Sequence, residues 1–100
     1  MSAYAALAEP HRRQILDLLR VGERAAGELV DNLGLSQPGV SKHLKVLREA
    51  GLVVVRAEGK HRFYALAPEP LAEVDQWLQP YRMYWSSRLD GLEQHLKENP

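Results

Sequence analysis

The 100-residue sequence contains no cysteine. That absence rules out a disulfide framework and any thiolate metal site, and it makes a reducing cytosol the natural compartment. Long apolar runs are missing too: no window approaches the roughly 18 uncharged apolar residues of a membrane span, and the N-terminal segment pairs no charged leader with an apolar stretch. The expectation is a soluble, unprocessed, cytoplasmic chain with no membrane partner. Net charge is lacking as well, with 13 Lys+Arg against 13 Asp+Glu. At first this argues against nucleic acid, because phosphate binding is driven by cations. What is present is 45% hydrophobic content in 100 residues, enough for one compact domain over 1–100.

The distribution of charge reverses the impression left by its sum. Residues 1–35 carry four basic and five acidic side chains, 36–62 carry six and two, and 63–100 carry three and six. The middle block is therefore +4 between flanks of −1 and −3. A basic stripe on a neutral chain is what a localised DNA contact needs, since a uniformly basic surface binds indiscriminately.

Periodicity places four helices ahead of a hairpin. Residues 4–7 form a short apolar helix, and Glu9-Pro10 reads as the cap and first-turn proline of a second, whose apolar face is Ile15, Leu18 and Leu19. A third helix spans 26–33, with Leu29 and Leu33 on one face and Gly34 as the left-handed residue that stops it. Ser36 caps a fourth over 37–50, in which Val40, Leu44 and Leu47 follow helical spacing and Gly51 ends the run. The Val-, Phe- and Tyr-rich stretches 52–57 and 61–66, separated by Glu58-Gly59-Lys60, read as a two-stranded β-hairpin. Helical spacing returns over 70–97, where Pro80 predicts a kink or a restart. The fold class is mainly α (α+β): a winged helix-turn-helix with its helix-turn-helix at 26–50, its wing at 52–66 and a C-terminal helix available for dimerisation.

On a helical wheel of about 100 degrees per residue, Leu44 and Leu47 lie within roughly 40 degrees of Val40, whereas Gln37, Ser41, Lys42, Lys45 and Arg48 spread between roughly 60 and 200 degrees. One side is built for burial and the other offers amide, hydroxyl and cationic groups, the chemistries that read bases and phosphates. Ser36, Gln37 and Ser41 sit at the start of the helix, where recognition helices enter the major groove. His43 falls at the border of the buried face, so packing and phosphate contact both remain open for it. In the hairpin, Arg56, Lys60, His61 and Arg62 crowd the turn and suit phosphate or minor-groove contact, although charge on an edge hairpin also guards against aggregation.

Two stretches carry a family resemblance: Ala8-Glu9-Pro10-His11-Arg12-Arg13-Gln14-Ile15-Leu16, and the long run from Leu33-Gly34-Leu35-Ser36-Gln37 through Val40-Ser41-Lys42-His43-Leu44-Lys45 to Gly51-Leu52-Val53. Together with their context they resemble the ArsR/SmtB family of winged-helix repressors over nearly the whole chain. The resemblance implies a homodimer, a double-stranded operator with dyad symmetry and repression relieved by an inducer. It assigns base reading to Gln37, Ser41, Lys42 and His43. The departures are equally specific. Where arsenic- and cadmium-sensing members carry Cys-Val-Cys, this chain has Ala25-Ala26-Gly27; where zinc-sensing members carry Asp-x-His and a later His-x-x-Glu or His-x-x-His, it has Asp75-Gln76-Trp77 and His95 alone. The C-terminal part resembles the metal-independent branch, so no metal ligand and no cofactor is expected, and the resemblance names no inducer.

The apolar stripe from Leu71 to Leu96 is too long for a 100-residue core to bury. Tyr4, Leu7, Leu78, Tyr81, Trp85, Leu89 and Leu92 are therefore expected at a dimer seam, with an aromatic effector pocket as the other use of Trp77, Tyr81, Tyr84 and Trp85. Two other functional classes fit these residues less well. A winged-helix protein-interaction module that binds no DNA would want a neutral or acidic fourth helix. An enzyme would need a nucleophile beside a base, yet Ser41 and His43 lie about 160 degrees apart on the wheel.

Overall fold

A computed structural model describes residues 2–98. Helix α1 (Ala3–Leu7) is capped by Ser2, whose hydroxyl accepts the Ala5 N–H at 3.2 Å. Its C-terminal carbonyls are claimed by the next helix: Arg12 Nε donates to Ala6 O at 2.7 Å and Arg13 Nη1 to Leu7 O at 2.7 Å. Groups that a helix end leaves orphaned are thus satisfied by side chains rather than water. Helix α2 (Pro10–Val21) begins as its sequence predicts, with Pro10 in the first turn and Glu9 accepting the Arg12 N–H.

A two-residue strand, β1 (Arg24–Ala25), precedes α3 (Ala26–Leu33) and was not anticipated. It pairs antiparallel with the second hairpin strand, so the sheet has three strands in the order β1-β3-β2 rather than two. Two residues of chain carry too little pattern to announce a strand. Gly34 stops α3 at φ 66°, its N–H bonded to Val30 O, as expected of a left-handed cap. Helix α4 (Gln37–Glu49) follows after a short turn, with the Ser36 hydroxyl accepting the Gly39 N–H at 3.2 Å. Gly51, at φ 76°, turns the chain into the hairpin.

Strands β2 (Val53–Glu58) and β3 (His61–Leu66) close on Gly59-Lys60, with Glu58 opposite His61. Gly59 has φ 61°, and no non-glycine residue described has positive φ; a two-residue loop with glycine first and only that residue left-handed has the character of a type II′ turn. The winged helix-turn-helix expected from the sequence is therefore present. Its core is Ala3, Ala6, Ile15, Leu16, Leu19, Leu29, Val40, Leu44, Leu47, Leu52, Val53 and Tyr64. Every element up to β3 except the two-residue β1 contributes to it.

Helix α5 (Glu69–Glu98) runs 30 residues without interruption through Pro80, which overturns the expected possibility of a restart. Proline removes one intrahelical donor and frees the Gln76 carbonyl, but both residues lie on an exposed stretch where water can satisfy that group. An ion pair between Arg82 and Asp75 also brackets the weakened turn. Leu71 and Val74 pack against the core. From Pro80 to Lys97 every residue is exposed, and the molecule measures 62 × 27 × 20 Å because this helix projects from the body. Among the described residues no helix is long and apolar enough to cross a membrane.

Candidate nucleic-acid interface

The anchor of α4 and its outer face are cleanly separated. Val40, Leu44 and Leu47 are 2% exposed or less, and they pin the helix against α2 and α3. Ser36, Gln37, Ser41, Lys42 and Lys45 are all exposed. The arrangement follows from the wheel: three apolar residues on one side fix the helix, and the groups with hydrogen-bonding capacity are left facing water. The buried side satisfies itself, since no buried side-chain nitrogen or oxygen among the described residues lacks a partner.

His43 stands apart from that face. It is half-buried and turned toward the start of α2, with Nδ1 3.8 Å from Glu9 Oε2 and its ring centroid 5.7 Å from that of His11. Of the two roles open for it, the geometry favours packing against α2.

At the wing tip Lys60, His61 and Arg62 are exposed beside the Gly59 turn. Arg56 is employed differently from the expected phosphate contact. Its Nε and Nη2 donate to the two carboxylate oxygens of Glu23 at 2.9 and 2.6 Å, its Nη1 donates to Glu58 at 2.7 Å, and its guanidinium lies 4.7 Å from the centroid of the Phe63 ring. A fork held by two carboxylates and an aromatic face braces the wing to the segment before β1. No sequence pattern reports the Glu23 contact, because it is made across 33 residues.

This brace has a pH consequence. The hydrogen bond from Arg56 holds the Glu23 carboxyl below its ordinary value of 4.5, against the opposing effect of burial. A depressed carboxylate contributes stability that is complete above its unfolded value and lost as pH falls through the folded one. Protection factors of the amides across β2 and β3, which are corrected for intrinsic exchange rates, should fall as pH drops below 4.5 in the wild type. In Glu23→Gln the exchange, corrected for intrinsic rates, should be faster already at neutral pH and should lose that acid dependence.

The expected seam residues all belong to α1 and α5. Tyr4 is 41% exposed and meets Trp77 edge-to-face at 6.1 Å, while its hydroxyl donates to Glu73 O at 3.4 Å. Trp77 in turn stacks against Tyr81 at 5.0 Å. Helices α1 and α5 thus share an aromatic face that continues through Trp85, Leu89 and Leu92, exposed by 42%, 61% and 54%. Leu7 and Leu78 are half-buried.

One grouping escaped the sequence reading, which expected no metal ligands. Glu9, His11 and His43 each present a ligand atom within 4.8 Å of the others. The signals were separately visible in the N-cap position of Glu9 and the border position of His43, but only the packing of α4 on α2 joins them.

Comparison with known proteins agrees with this architecture. Residues 9–55 match the model of the family described as bacterial regulatory protein, arsR family. The chain is 42% identical over 92 residues to the HTH-type transcriptional regulator Rv2034 of Mycobacterium tuberculosis, covering 92% of this chain and 83% of that one. It is 31% identical to the transcriptional repressor SdpR of Bacillus subtilis, over 77% and 86% of the two chains. A crystal structure of an ArsR family transcriptional regulator superposes with a TM-score of 0.72 at 31% identity, covering 84% of this chain and 87% of the other. The exposed polar face of α4, the wing beside it and these likenesses converge: the chain belongs to the arsR family of bacterial regulatory proteins and is a DNA-binding transcription regulator, not an enzyme.

Proposed function

We propose that this regulator is a repressor that binds a palindromic operator as a homodimer and lacks the cysteine and Asp-x-His ligand sets of the family's metal-sensing members. The observation that carries the reading is the two-sided α4. An apolar side held by Val40, Leu44 and Leu47 presents Gln37, Ser41, Lys42 and Lys45 to solvent on a fixed platform. In the groove, Gln37 bonds a base edge, an amide being suited to bidentate contact with adenine. Ser36 and Ser41 adapt to base or phosphate, and Lys42 and Lys45 reach guanine acceptors or the backbone. Lys60, His61 and Arg62 grip the flanking phosphates or minor groove, and Arg56 holds the wing in place for them. The relative named as a transcriptional repressor supports repression as the outcome.

Reading and gripping are separable by mutation. Gln37→Ala should lose about 1–3 kcal/mol on the cognate duplex and little on a scrambled one. Lys60→Ala and Arg62→Ala should weaken both duplexes alike, and each should flatten the salt dependence by about one unit of log–log slope. Anisotropy titrations on both duplexes across a salt series distinguish the two classes. Identical behaviour of the two would refute the assignment.

A further inference from the structure

We infer that Glu9, His11 and His43 form a binding site for one divalent transition-metal ion of the zinc type. The three side chains come from the N-terminus of α2 and the middle of α4. His11 Nδ1 lies 3.1 Å from Glu9 Oε1, and His43 Nδ1 lies 3.8 Å from Glu9 Oε2. The two imidazole rings are tilted by 36° at 5.7 Å between centroids. A tetrahedral zinc with bonds near 2.0–2.1 Å wants its ligand atoms about 3.3 Å apart. The three donors already lie within 4.8 Å of one another, so an approach of at most about 1.5 Å brings any pair to that spacing.

The chemistry of the set fits as well as its spacing. Two imidazoles and one carboxylate are a known three-ligand arrangement for zinc, with the fourth position left to water. The side chains are 44%, 32% and 21% exposed for His11, Glu9 and His43, so an ion can enter and keep a water while its ligands remain anchored. The adjacent Arg12 guanidinium does not compete for the carboxylate, because it is turned onto the carbonyls of Ala5 and Ala6. An ion here ties the start of α2 to α4 next to Lys42. The consequence of that tie for DNA rests on the operator reading above, whereas occupancy of the site does not.

Cobalt(II) is the direct probe, since tetrahedral coordination gives it intense visible bands. Titration of the full chain should show one cobalt per chain at micromolar concentration, displaced by zinc. His11→Gln and His43→Gln should each weaken binding by more than the roughly 10–100-fold that loss of an outer-shell partner costs. His11→Gln is the variant that guards against misfolding, because that side chain is the most exposed of the three. A paired His61→Asn, His95→Gln control should bind as the wild type does. Absence of the tetrahedral bands, binding unchanged in His11→Gln, or binding abolished by the paired control would each overturn the site. None of these readouts uses DNA, so failure of the operator reading leaves the titration interpretable.

Discussion

The Leu89→Glu, Leu92→Glu double variant is expected to be a folded monomer that has lost operator preference. Both leucines lie on the projecting part of α5, at 61% and 54% exposure, and neither belongs to the core cluster. Replacing them therefore removes nothing that holds the single chain together. In a two-fold dimer each substitution is counted twice. Burying a leucine is worth roughly 1.5–3 kcal/mol, so four lost leucines amount to about 6 kcal/mol or more, or about four orders of magnitude in dissociation constant, before the repulsion of four new carboxylates is added. One recognition helix covers only a few base pairs, and two held about 34 Å apart read both halves of a palindrome. The monomer should accordingly bind cognate and scrambled duplexes with similar weak affinity. Sedimentation velocity with circular dichroism and a duplex titration checks all three parts. A folded dimer with intact preference would move the seam to α1, around Tyr4 and Leu7.

The second large effect is expected from Leu44→Ala, at the centre of the α4 anchor. Leu44 is 2% exposed and packs within the cluster that joins α4 to α2 and the sheet. Truncating a buried leucine costs about 2–5 kcal/mol, part of it from the cavity left behind. For a chain of this size that lowers the melting temperature by on the order of 10 °C or more. It also loosens the platform under Ser41 and Lys45, so selectivity for the cognate duplex should fall further than general affinity. Thermal unfolding and paired titrations test it. A variant that melts like the wild type would mean that α4 is held by something other than its apolar face.

How far the sequence foretold this molecule depends on the range of each determinant. Helix α4 was legible almost to the residue because its signals are local: Gly34 and Gly51 adopt the left-handed conformations their types predict, and Ser36 caps its own helix. The hairpin was legible from β-branched residues meeting a glycine turn. Strand β1 was not, since its existence depends on Tyr64 and Phe63 arriving opposite Arg24 and Ala25. The bracing of Arg56 by Glu23 and the meeting of Glu9, His11 and His43 have the same origin. Each joins residues far apart in the chain, and only the packing of α2, α4 and the wing brings them together. Pro80 left two outcomes open, a kink or a restart, and the continuous α5 removes the restart: an exposed helix flanked by an ion pair can absorb one missing hydrogen bond.

Enrichment of random-sequence duplexes by the purified protein tests the central claim most directly. A dimer presenting two α4 helices predicts a palindromic consensus, its half-sites centred about one helical turn apart, roughly 10–10.5 base pairs. The Gln37→Ala variant should lose information at one symmetric pair of positions within it. No enrichment over the input pool, or a single half-site without a symmetric mate, would contradict the account.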